Sequence, residues 1–141
     1  MAVAEAVAGS EEAFVAKMNA AADALGMVNT RYANAYGLPA PGQHTTARDV
    51  AILALALLTD YPERSLIFSE RKTRAAGRGV TTTNPLFGRV PGAQGMKTGF
   101  TCAAGYNIAG LVEREGRRVL AITLGHENKS ARLRAVRALI G

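Results

Sequence analysis

Only one cysteine, Cys102, stands among the 141 residues, so no intrachain disulfide can form and a cysteine metal cluster is excluded. The two histidines, His44 and His126, lie far apart and offer no ligand spacing for zinc, so no metal site is expected. Tryptophan is absent, and four Tyr with four Phe make up the aromatic complement. None is interleaved with basic residues as a stacking platform for single-stranded nucleic acid requires. The most apolar stretch, residues 47–58, is far short of the roughly 20 residues that span a bilayer. Nor does the sequence open on a basic region followed by a long apolar one, so no signal peptide is read in it. Acidic residues are few, 11 against 17 basic, which leaves a net charge of +6. Such a surface attracts anionic partners. The basic residues nevertheless fall in scattered groups, Arg71–Arg78, Arg114–Arg118 and Lys129–Arg137, and read as solvated faces rather than as a nucleic-acid interface.

What is present suits a globular domain: 48% hydrophobic and 20% charged residues, with 15 glycines for close packing and tight turns. Residues 1–8 are small and apolar and read as the middle or end of a helix whose start lies upstream. Ser10 is a good N-cap, with Glu11 and Glu12 in the first turn, where carboxylates favour the helix dipole. Phe14, Met18, Ala21 or Ala22, and Leu25 then recur at helical spacing until Gly26 stops the helix. A Gly- and Pro-punctuated loop follows to His44. Thr46-Ala47-Arg48-Asp49 resembles a capping box, with Asp in the place of the usual Glu or Gln. The helix that it opens carries Val50, Ile52, Leu53, Leu55, Leu57 and Leu58 around most of its circumference, the pattern of a buried helix. A short helix is expected near residues 63–68.

Beyond residue 70 the pattern turns to strands. Val80–Asn84 is β-branched, residues 95–101 form a further extended run, and residues 106–113 and 118–124 flank the hairpin signal Arg114-Glu115-Gly116-Arg117. Glu113 and Glu115 are expected to pair with the arginines around them, and Cys102 to pack as a small core thiol. An amphipathic helix with Leu133, Val136, Leu139 and Ile140 on one side closes the chain, and Ser130 reads as a helix-start residue. Helices, then antiparallel strands, then a closing C-terminal helix give an α+β class.

The chemistry concentrates in Lys97-Thr98-Gly99. On a strand, alternation sends Lys97 and Gly99 to one face and Thr98 to the other, and the glycine lets substrate approach the backbone closely. The wider run from Gly92 to Asn107 is similar to the third-motif strand of low-molecular-mass penicillin-binding proteins, and in particular of the serine-type D-alanyl-D-alanine carboxypeptidases. Other segments resemble the same family in the same order: residues 8–15 with Met18-Asn19, residues 25–30 with Gly37-Leu38, residues 41–49, Thr83-Asn84-Pro85-Leu86, and Arg89-Val90-Pro91-Gly92.

This resemblance implies a partial penicillin-binding-protein or β-lactamase-like transpeptidase fold. It implies an enzyme without cofactor that removes the terminal D-Ala of peptidoglycan stem peptides through a serine acyl-enzyme. Lys97 matches the third-motif lysine, and Thr98 the hydroxyl that holds the substrate carboxylate. Phe100 matches the residue whose backbone N–H serves the oxyanion. Gly99 and Thr101 would shape the same strand edge. Location outside the cytoplasmic membrane, in the periplasm or cell envelope, follows from the resemblance.

The family also uses a Ser-x-x-Lys and a Ser-x-Asn motif, both expected upstream of residue 1, so residues 1–141 read as a single, N-terminally truncated domain. The one literal Ser-x-x-Lys, Ser69-Glu70-Arg71-Lys72, lies downstream of the helices in a cationic run where nothing desolvates Lys72, and it reads as coincidence. The chain alone is therefore expected to be inactive, with β-lactams as partners only if the upstream part is supplied. A non-catalytic module recognising cell-wall peptides through Lys97 and Thr98 is the alternative.

Overall fold

The computed structural model describes residues 2–141, so Met1 of the expected first helix lies outside the described residues. The chain divides into two compact units, residues 1–56 and 57–141.

In the first unit α1 (Ala2–Ala8) and α2 (Glu11–Ala24) pack together. The Ser10 hydroxyl accepts from the Ala13 N–H at 3.1 Å, and Gly26 leaves the helix at a φ of +74°, so both ends of α2 lie where the residue types place them. The loop after α2 is held by one antiparallel bridge, Arg31 with His44, and by side-chain amides. Asn19 donates Nδ2 to the Tyr32 carbonyl and accepts the Tyr32 N–H at Oδ1, both at 2.9 Å. Farther on, α3 (Ala47–Asp60) opens with the Thr46 hydroxyl accepting the Asp49 N–H at 3.1 Å.

The returning arm of that capping box is diverted. The Asp49 carboxylate is buried and accepts from the Asn29 N–H at 2.9 Å and from the Thr30 hydroxyl at 2.7 Å. Since Thr30 gives its one proton to the carboxylate, Thr45, 2.9 Å away, donates to Thr30. Thr30 is the main reason that the Asp49 carboxyl titrates below its usual range. Burial pulls the other way, while the Asn29 amide, the Thr46 hydroxyl and Arg48 add to the lowering. A depressed folded-state pKa gives stability that is present above the unfolded carboxyl value and lost as pH falls through the folded one. Asp49→Asn is accordingly expected to lower the urea midpoint at neutral pH and to flatten its fall in acid. Parallel acid limbs for the two proteins would contradict this role.

The expectation of a fully buried α3 is not met. Asp49 and Ala54 are its buried residues, while Leu55 and Leu57 are 54% and 37% exposed. A helix that is apolar nearly all round buries only the stripe that a neighbour covers.

The second unit holds two sheets. A 3₁₀ helix over Pro62–Ser69 precedes β1 (Lys72–Ala75) and β2 (Arg78–Thr81), an antiparallel pair whose two-residue turn, Ala76-Gly77, has both φ values positive. The strand character expected at Val80–Asn84 is met only in part. β2 ends earlier, at Thr81, and β1 lies in a charged run that carries no strand signal.

The larger sheet runs β3 (Ala93–Thr101), β4 (Gly105–Arg114), β5 (Arg117–His126), antiparallel throughout. Glu115-Gly116, again with positive φ at both residues, closes the β4–β5 hairpin at the expected place. Glu113 pairs with Arg118 at 3.0 Å, whereas Glu115 has no ion-pair partner among the described residues. Finally α4 (Lys129–Ile140) packs on β4 and β5. Its N-cap is Asn128, which accepts the Ala131 N–H at 2.8 Å, so Ser130 is inside the helix. Leu86, Val90, Ile108, Val112, Ala121, Val136 and Ile140 form the core between α4 and the sheet. Leu139, expected on the packed side, is 59% exposed.

Candidate active site

Lys97, Thr98, Gly99, Phe100 and Thr101 occupy the second half of β3, an edge strand with β4 on one side and no strand on the other among the described residues. How the strand arrives there is set by an irregularity. Register slips between Ala93 and Gly95, and Gly95 and Met96 take φ values of +95° and +86°. Such a bulge re-aims the residues after it. A left-handed conformation is ordinary for glycine but strained for Met96, which lies immediately before Lys97. Gly95 also runs against the 3₁₀ helix: a Cβ there would stand 2.2 Å from the Phe68 carbonyl oxygen. The Ser69 hydroxyl adds a bond to the Gln94 carbonyl at 3.3 Å, and the Gln94 amide donates to Glu113 at 3.1 Å.

From Lys97 on the ladder is regular, pairing Lys97 with Ala109, Thr98 with Ile108, Gly99 with Asn107 and Phe100 with Tyr106. Cross-strand partners share a face, so Thr98 and Phe100 share the face of Ile108, and Lys97 the opposite one. The Lys97 ammonium is exposed, has no carboxylate partner among the described residues, and donates to the Thr98 carbonyl. Thr98 Oγ1 lies 3.3 Å from Thr83 Oγ1. Gly99 has open space where a side chain would be. The Phe100 ring, 53% exposed, stacks on Tyr106 with centroids 4.2 Å apart, and the Thr101 hydroxyl accepts the Ala104 N–H at 3.1 Å.

Three contributions were not legible beforehand. In sequence Thr83 is only part of a matching segment, and the fold sets its hydroxyl beside Thr98. Asn107, in β4, ties the β3–β4 turn to β5, donating to the Ala104 carbonyl at 3.3 Å and accepting the Gly125 N–H at 2.8 Å. Arg132 of α4 is buried, its guanidinium 5.6 Å from the centre of the Tyr106 ring and 3.3 Å from the Asn107 carbonyl. Burial pulls the titration of Arg132 down, with Tyr106 acting the other way. In sequence, Arg132 is one basic residue among several on a helix, and nothing local marks it.

Two expectations are corrected. Cys102 is exposed in the β3–β4 turn rather than packed in the core, because the strand ends at Thr101 and the turn carries the thiol into solvent. The basic groups do not all remain apart either: Arg89, Arg114, Arg134 and Arg137 line one cavity. As for Ser69 and Lys72, both are exposed, the serine at the end of the 3₁₀ helix and the lysine in β1. No apolar wall surrounds either one.

A family model described as D-alanyl-D-alanine carboxypeptidase matches residues 1–128. The chain belongs to that family. It is 40% identical over 126 residues to D-alanyl-D-alanine carboxypeptidase DacC of Escherichia coli, covering 89% of this chain and 32% of that protein. Penicillin-binding protein 6B of Escherichia coli superposes with a TM-score of 0.90 at 32% identity, over 98% of this chain and 44% of that one. Penicillin-binding protein D2 of Listeria monocytogenes, solved in an ampicillin-bound form, gives 0.82 at 34% identity, over 90% and 54%. The α+β arrangement with a closing helix is thus part of the fold of these penicillin-binding proteins. This family member spans about a third of the length of the curated relative above. Among the described residues, no helix is long and apolar enough to cross a membrane.

Proposed function

We propose that residues 1–141 supply the Lys-Thr-Gly strand of a serine-type D-alanyl-D-alanine carboxypeptidase acting on peptidoglycan stem peptides outside the cytoplasmic membrane. The observation that carries this reading is the presentation of Lys97-Thr98-Gly99 on an exposed edge strand, in a chain of this family. Lys97 provides positive charge to the substrate carboxylate and to proton transfer. Thr98 offers its hydroxyl to the same carboxylate, and the Phe100 N–H is one oxyanion donor. Gly99 keeps the strand open to the peptide, and Thr101 fixes the turn behind it. The family's upstream Ser-x-x-Lys and Ser-x-Asn motifs have no match among these residues, and on this reading the 141-residue chain does not acylate by itself.

Intact-mass measurement after incubation with excess penicillin tests this directly. The 141-residue chain, shown to be folded, is expected to gain no adduct. One bound penicillin, mapped to Ser69 or elsewhere, would overturn the absence of a nucleophile. When the chain is joined to a front segment carrying both upstream motifs, acylation is expected, and Lys97→Ala should slow it by about 10²-fold or more. Unchanged acylation in Lys97→Ala would remove Lys97 from the site.

A further inference from the structure

The cavity lined by Arg89, Arg114, Arg134 and Arg137 has a volume of about 400 Å³ and lies between the turn that follows Leu86, the end of β4 and the last turns of α4, with none of residues 97–101 in its lining. No Asp or Glu side chain lines it, and the one carboxylate at its edge in the 141-residue chain is that of Gly141, which Arg114 holds at 2.6 Å. Arg114 is accounted for by the fold, since its Nη2 donates to the Ile140 and Gly141 carbonyls and so closes the C-terminal end of α4. The other three have no such role. Arg89, Arg134 and Arg137 are exposed and make neither an ion pair nor a side-chain hydrogen bond among the described residues.

Positive side chains lining one space repel each other, and beyond the Arg114 contacts the fold gains nothing from the arrangement. An anion in their midst reverses the sign. A carboxylate presents two oxygens in one plane and suits a single arginine fork, whereas a phosphate presents three acceptor oxygens around a tetrahedron and can take donors from several walls. Walls supplied by the turn after Leu86 and by two turns of α4 match the second geometry. A smaller adjoining cavity shares Arg114 and adds Arg117, with Glu115 as its one carboxylate, so the positive character continues along this end of the unit.

We propose that this cavity is a binding site for a phosphate group, carried either by a lipid headgroup or by a free phosphate, held chiefly by Arg89, Arg134 and Arg137. It stands apart from the carboxypeptidase reading and does not depend on it.

Calorimetric titration of the 141-residue chain with pyrophosphate, at low ionic strength and against chloride of matched ionic strength, is expected to show one saturable site. Arg134→Gln with Arg137→Gln should weaken it by about tenfold or more, the loss of at least one charge-assisted contact. Lys72→Gln with Arg74→Gln, which removes the same charge from the β1–β2 hairpin, should change it by less than about twofold. Arg89→Gln provides a second cavity variant should the double substitution disturb α4. Equal losses in the cavity and hairpin variants, or no saturation, would overturn the site in favour of diffuse surface charge. Cosedimentation with phosphatidylglycerol and phosphatidylcholine vesicles separates the two sources. Binding to the anionic vesicles that pyrophosphate displaces supports a headgroup, and pyrophosphate binding without vesicle binding supports a free phosphate.

Discussion

Gly95→Ala is expected to destabilise the second unit by about 3 kcal/mol or more, since alanine must hold a positive φ and also intrude on packed backbone. The added Cβ would lie 2.2 Å from the Phe68 carbonyl oxygen and 2.9 Å from Phe87 Cζ. The phenyl ring can swing away. The carbonyl belongs to the 3₁₀ helix and can move only if that helix lifts off β3. Urea unfolding should show the loss as a fall in midpoint of about 1 M or more, taking a slope of about 1–3 kcal/mol/M. Gly99→Ala is the control in the same strand: its φ is not in the left-handed region and its Cβ meets nothing within 4 Å, so the midpoint should hardly move. A Gly95→Ala protein as stable as Gly99→Ala would show that the 3₁₀ helix does not rest on β3. The pair also separates two reasons for a glycine in one strand, since Gly95 serves the fold and Gly99 serves the proposed peptide site.

Leu86→Ala should be nearly as costly, about 2–5 kcal/mol, the range for truncating a buried leucine. Leu86 is fully buried between the sheet and α4, in the cluster with Ile108, Val112 and Val136. Its fit depends on Gly110 directly beneath it, where a Cβ would stand 2.6 Å from Leu86 Cδ1 and 3.4 Å from Val136 Cγ2. Leucine fills the space that glycine leaves. The double variant Leu86→Ala with Gly110→Ala is therefore expected to recover part of the loss, because the new methyl enters the cavity. Strictly additive losses, by thermal or urea unfolding, would refute this complementarity.

Signals that act within a few residues were readable in advance. Ser10, Gly26 and Thr46 mark helix ends, and Glu115-Gly116 marks a hairpin, because each works through backbone groups two or three positions away. The edge strand carrying Lys97 to Thr101 was legible as a match along the chain. Longer-range effects were not. Asp49 has the spacing of a capping residue, yet its carboxylate goes to Asn29 and Thr30, some 20 residues back. The burial of α3 was overestimated because periodicity counts apolar positions without knowing what covers them. Cys102 was misplaced for a similar reason, its setting being decided by where β3 ends. The arginines around the cavity come from three stretches, and only the folding of β4 and α4 against the Leu86–Val90 turn brings them together.

The diverted Asp49 carboxylate also makes two openings into one. Fraying the first turn of α3 withdraws the acceptor from the Asn29 amide, and peeling the loop at residues 29–30 strips the carboxylate of its donors. The two motions should therefore share a single opening free energy, and the Asn29 amide hydrogen should exchange with solvent at the rate of the first α3 amides that need the same opening. By this device a long loop without sheet or disulfide moves in step with a helix.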